Sequence, residues 1–131
     1  WVYDKMKSQP IWNCGVQAGD ADIMKDLFLN IFLMSVNNRI HNPDQAALNV
    51  LLSMEPYKKI TKFVTSEEGW ACQAGTTVDP LKIDDFRPHL LEPEPTWNGK
   101  VACTSKGKPF VVLHQYDRVP EWKKIVESSY E

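Results

Sequence analysis

Phe110-Val111-Val112-Leu113-His114 is the stretch on which the fold class turns. Its unbroken apolar run is the pattern of a strand buried on both faces, within a predicted strand at residues 109–116. Just before it, Lys106-Gly107-Lys108 signals a hairpin turn from a partner strand at 101–104. Trp97-Asn98-Gly99-Lys100 reads as a further turn. Upstream lies an irregular stretch, 79–98, holding four of the nine prolines. A loop of that length inside a compact domain is usually functional or disordered. Shorter strands are expected at 69–73, at 59–65 and at 10–16, the last running into a turn at Gly15.

Helices fill the gaps. Met24, Leu27, Phe28, Ile31, Phe32 and Met34 recur at helical spacing, predicting a helix over 21–36. Asp20 is a suitable N-cap, and Asp22 suits the positive end of the helix dipole. The run 27–34 is almost wholly apolar, so burial on more than one side is expected. A second helix is predicted from Asn42 to about Glu55. Asn42 would cap it, Pro43 fits the first helical position, Gln45 completes a capping box, and Pro56 closes it. Pro120 opens a last helix, with Trp122, Ile125 and Val126 on one face. The order strand, helix, helix, strands, hairpin, helix specifies an α/β chain: a mixed sheet with flanking helices.

Composition bounds the function. The 131 residues fit one domain or a large piece of one. Fifteen Lys and Arg against 17 Asp and Glu give a formal net charge of -2, and no basic stripe appears, which argues against nucleic acid as partner. No apolar stretch is long enough to span a bilayer. Cys14, Cys72 and Cys103 lack metal-site spacing and are expected as buried free thiols. Most of the five Trp are expected in the core. The start at Trp1, with no charged-then-apolar leader, reads as a piece of something longer.

Several segments combine residue types that do chemistry. Asn13, at a strand end before Gly15, has the donors and acceptors to hold a hydroxylated ligand; a plain Asn turn is the alternative. Asp44 sits in the first turn of a helix, where the dipole stabilises a carboxylate, and could serve as a general base toward a sugar hydroxyl. His114-Gln115-Tyr116-Asp117-Arg118 is the densest cluster. There a neutral His114 could ligate a metal, Tyr116 or Asp117 could orient it, and Arg118 could grip a phosphate. The alternative is a strand end with a core His and a surface ion pair. Asp20-Ala21-Asp22 fits an Asp-x-Asp metal motif, but capping already accounts for both carboxylates.

Taken in order, Asn13-Cys14-Gly15-Val16-Gln17-Ala18-Gly19, then Asn42-Pro43-Asp44-Gln45-Ala46-Ala47-Leu48-Asn49, then Phe110 to His114 resemble three segments of A-type (GT-A fold) nucleotide-sugar glycosyltransferases. These are the Asn-x-Gly segment, the Asp-Gln-x-x-Leu-Asn segment and the late strand ending in a metal-ligating His. The resemblance spans roughly 10–130. It implies the C-terminal, acceptor-side part of a GT-A domain, occupying 1–131 and lacking its N-terminal nucleotide-binding half. That half, with its Asp-x-Asp motif, would precede Asn13, and Asp4 alone does not replace it. The isolated chain is therefore expected to be inactive.

The resemblance further implies a nucleotide-sugar donor and a carbohydrate or other hydroxyl acceptor. Asp44 would be the catalytic base of an inverting enzyme, or would orient substrate in a retaining one. Asn13, Gly15, Gln45, Trp70, Gln115 and Arg118 would contact substrate. His114 would coordinate Mn²⁺ or Mg²⁺ on the donor diphosphate, neutralising the leaving group. Two other readings stand beside it. One is a non-catalytic α/β binding module using Trp70 and Trp97 as contact surfaces. The other is a hydrolase in which Cys14 is activated by His114 and Asp117.

Overall fold

A computed structural model describes residues 4, 6–36, 43–75, 79–82, 85 and 93–130. The chain is a small mixed α/β protein that divides into two compact units, Trp1–Lys62 and Phe63–Glu131. No helix of the described residues is long and apolar enough to cross a membrane.

The first unit is helical. Helix α1 (Ala21–Ser35) starts where the sequence predicts. The Asp20 carboxylate accepts the amides of Asp22 at 3.0 Å and Ile23 at 3.3 Å, so it caps two otherwise unpaired donors. Helix α2 (Pro43–Leu52) begins at the expected proline and ends before the expected Glu55. Its Asn42 cap lies outside the described residues. A single turn, α3 (Tyr57–Ile60), follows. Leu27 and Ile31 of α1, Ala47 and Leu48 of α2, and Tyr57 form the core. The Tyr57 hydroxyl donates to Asp26 and accepts from Asn30 at 3.0 Å, which ties α3 to α1.

Three expectations fail in this unit. Residues 10–16 form no strand: the segment is irregular, bends at 14–16, and has side chains rather than a neighbouring strand as its partners. Residues 59–65 form no strand either: 59–60 complete α3, which the Thr61 N–H closes onto Tyr57 C=O at 2.9 Å, and 61–65 are irregular. Helix α1 is buried on one side only. Phe28, Leu29, Phe32, Leu33 and Val36 are all between 50% and 60% exposed, since within the unit only the opposite stripe packs on α2.

The second unit carries two short sheets. Strand β1 (Ala71–Gln73) pairs in parallel with β4 (Val112–His114), in the register Ala71–Val112, Cys72–Leu113, Gln73–His114. Strands β2 (Thr96–Trp97) and β3 (Ala102–Cys103) pair antiparallel across the Asn98–Lys100 turn. The Asn98 carboxamide accepts the Lys100 and Val101 amides there, and Gly99 takes φ 93°, a conformation suited to glycine. The turn expected at 106–108 is present. Thr104 N–H bonds Lys108 C=O at 2.8 Å, and Phe110 N–H bonds Ala102 C=O at 3.0 Å. Helix α4 (Pro120–Ser128) closes the unit.

Cys72, Ala102, Cys103 and Thr104 are its buried centre. The predicted double-sided burial of 110–113 does not hold: Val111 is 78% exposed and its neighbours are half-buried, and β4 has one pairing partner among the described residues. The four described Trp, 12, 70, 97 and 122, are likewise half-buried rather than core.

Candidate functional site

In the first unit, two segments thirty residues apart are stitched together by amides. Gln45 and Asn49 are one helical turn apart on α2, so their side chains share a face. Asn49 Oδ1 accepts the Trp12 N–H at 2.8 Å, and its Nδ2 donates to the carbonyls of Trp12 and Gln45, each at 2.9 Å. Gln45 Oε1 accepts the Cys14 N–H at 3.0 Å while its Nε2 donates to Trp12 C=O. The two carboxamides thus take the place of a strand partner for residues 12–14. The amide of Gln45, expected against substrate, is committed to this backbone.

This clamp brings Asn13, Cys14 and Gly15 beside the first turn of α2. Cys14 Sγ lies 3.6 Å from Asp44 Oδ2. Asn13 and Asp44 are both exposed. Asn13 Oδ1 accepts the Gly15 N–H at 2.6 Å, a tight Asn turn, which leaves the Asn13 amide nitrogen as the donor available to a ligand. Gln17 Nε2 closes the loop onto Cys14 C=O at 2.8 Å. The result is an edge where the exposed Asp44 carboxylate meets the half-buried Cys14 thiol, with the exposed Asn13 preceding that thiol in the chain.

The thiol is not primed for attack. Burial, then the charge of Asp44 and the hydrogen bond to it, push the Cys14 thiol above its ordinary range. A nucleophilic cysteine needs the opposite shift. That shift does not favour the thiolate on which the Cys-His hydrolase reading depends.

In the second unit, His114 and Gln73 end the parallel pair side by side. Beyond them Gln115 adopts a left-handed conformation, φ 58° and ψ 37°, uncommon for a residue with a side chain. Its carboxamide oxygen accepts from Gln73 Nε2, which also donates to Gly75 C=O. A Cβ on Gly75 would stand 2.2 Å from Arg118 Cβ, so glycine is what lets the turn Tyr116–Arg118 close over the end of β1. Arg118 Nε lies 3.4 Å from Asp117 Oδ2, an ion pair that occupies one side of its guanidinium. The Trp70 carbonyl accepts Val112 N–H at 2.9 Å and extends the ladder. Gln115 thus faces Gln73, while His114 and Arg118 remain half-buried at the strand end.

Among the described residues no three His, Cys, Asp or Glu side chains gather as a metal site. His114 alone does not make one.

The sequence had not assigned a role to Asn49, Trp12 or Gln17. The signal for Asn49 was present, since two carboxamides at i and i+4 mark one helix face. Comparison with protein-family models, with curated proteins and with solved structures found no match for this chain.

Proposed function

We propose that the chain is the acceptor side of a sugar-transferring enzyme, moving a sugar from a nucleotide-sugar donor to a hydroxyl of a carbohydrate or other acceptor. What supports it is the clamp. Gln45 and Asn49 hold residues 12–14 against α2, with Cys14 Sγ 3.6 Å from Asp44 Oδ2 and with Asn13 and Asp44 both exposed. These belong to two of the three segments that resemble A-type glycosyltransferases.

In this reading Asp44 accepts the proton of the acceptor hydroxyl as its oxygen bonds the anomeric carbon and the nucleoside diphosphate leaves. The dipole of α2 favours the carboxylate. Asn13 donates to a substrate hydroxyl through its amide nitrogen. No step is routed through a metal. The Mn²⁺ or Mg²⁺ that the resemblance implies would need ligands in addition to His114. The nucleotide-binding half of the GT-A domain belongs to the same proposal.

The test uses the protein expressed from its complete reading frame. Release of nucleoside diphosphate is followed across a panel of nucleotide sugars, with water as the default acceptor. Asp44→Asn should lower kcat about 10²–10⁴-fold with circular dichroism unchanged, the usual span for a lost general base. Turnover within twofold of wild type in Asp44→Asn, or no turnover of any donor, would remove the reading.

A further inference from the structure

Apart from the edge at Asn13 and Asp44, the unit Phe63–Glu131 contains a cleft of about 480 Å³. That lies inside the roughly 300–1,000 Å³ range of small-molecule sites. Its walls include Trp97 of β2, Phe110, Tyr116 and Tyr130, with Lys100 and Ser129 among them. Trp97 packs against Trp122 of α4, ring centroids 5.6 Å apart and tilted by 48°, so its ring is fixed before any ligand arrives. The wall thus combines hydroxyls on Tyr116, Ser129 and Tyr130 and the Lys100 ammonium with aromatic rings and with aliphatic side chains such as Val101, Leu113 and Val126.

The chemistry of this wall discriminates between ligand classes. A wholly apolar ligand would strip water from the half-buried Tyr116 hydroxyl and return no hydrogen bond, while Ser129 Oγ already donates to Ile125 C=O at 2.8 Å and keeps its acceptor capacity. A phosphate-bearing ligand wants several cations or a guanidinium fork, and the wall offers one lysine. A sugar ring has both characters the wall asks for. Its C–H faces lie on aromatic rings, and its hydroxyls exchange hydrogen bonds with Tyr and Ser. We infer that this cleft is a binding site for a short saccharide. The inference does not depend on Asp44 or on turnover.

The test is equilibrium binding to the whole chain, read by Trp fluorescence and by NMR shift perturbation, with lactose, maltose, cellobiose and chitobiose as probes and no nucleotide present. Saturable binding of at least one is expected, with shifts at Trp97 and Tyr116. Tyr130 is 88% exposed, so Tyr130→Ala leaves folding intact and should weaken binding about two- to tenfold, the worth of one aromatic contact. Trp97→Ala should abolish binding, and if that variant fails to fold, Tyr130→Ala decides alone. No saturation by any probe at tens of millimolar, or affinity unchanged in Tyr130→Ala, would overturn the inference. Binding that persists in Asp44→Asn while donor turnover is lost separates this site from the proposed transfer chemistry.

Discussion

Asn49 offers the sharpest test of how the exposed edge is built. It is 7% exposed and makes three hydrogen bonds, to the N–H and C=O of Trp12 and to the C=O of Gln45. Asn49→Ala removes all three. Each bond contributes about 0.5–1.5 kcal/mol net, and water recovers part of the loss because residues 12–14 are only half-buried or exposed, so the expected cost is about 2–4 kcal/mol. At roughly 4–8 °C per kcal/mol for a unit of this size, Tm should fall by about 10–25 °C. Asn49→Asp is the stricter variant. It keeps the volume but turns a donor into an acceptor facing two carbonyls, and it should cost at least as much. Hydrogen exchange locates the effect: the Trp12 and Cys14 amides should lose protection before α1 does. A cost of Asn49→Ala below about 0.5 kcal/mol, with the Trp12 amide still protected, would mean that these carboxamides do not hold the segment.

Three further outcomes follow from the same contacts. Asp44 raises the Cys14 thiol through charge and a hydrogen bond, so Asp44→Asn should lower that pKa and speed alkylation by iodoacetamide near pH 8; an unchanged rate would detach the two residues. Burial pushes Cys72 up to about 12 from 9.0, so the folded chain keeps its proton where the unfolded chain releases it. Stability should therefore decline above pH 9 by up to about 1.4 kcal/mol per pH unit, and Cys72→Ala should flatten that decline in urea titrations at pH 8 and 10. Gly75→Ala should destabilise the turn Tyr116–Arg118, seen as faster exchange of the Ala74 amide, which bonds His114 C=O at 3.0 Å.

The sequence was most legible where structure is local. Asp20, Pro43 and Pro120 begin their helices as capping and first-turn rules require, because those signals act within four residues. The turns at Asn98–Lys100 and 106–108 were visible for the same reason. Burial was less legible. A run such as Phe110 to Leu113 states that the residues are apolar, not how many layers cover them, and β4 has one neighbour. The apolar stretch of α1 misled in the same way, since helical spacing predicts two apolar faces but not two coverings. Of the candidate site, Asp44 and Asn13 were found as residue types at element ends. That Cys14, the neighbour of Asn13, meets Asp44 depends on contacts about thirty residues apart, which no local pattern contains.

Residues 10–16 show why the site could not be read from strand propensity. A backbone segment needs its N–H and C=O groups paired, and an adjacent strand is the usual source. Here the pairing comes from α2. A carboxamide carries one acceptor and a donor pair in a plane, the same complement as a peptide unit, so Gln45 and Asn49 at i and i+4 present two peptide-like groups along one helix face. Their repeat along the helix, roughly 6 Å, is close to the span of two strand residues at about 3.3 Å each, which lets the pair serve Trp12 and Cys14 while skipping Asn13. The skipped residue is exposed, and Asp44, one position before Gln45, stands against the Cys14 thiol that follows it. An Asp-Gln-x-x-x-Asn arrangement at a helix start is therefore a device for setting a carboxylate beside an irregular segment. Its parts become legible once the two carboxamides are read as backbone substitutes instead of helix caps.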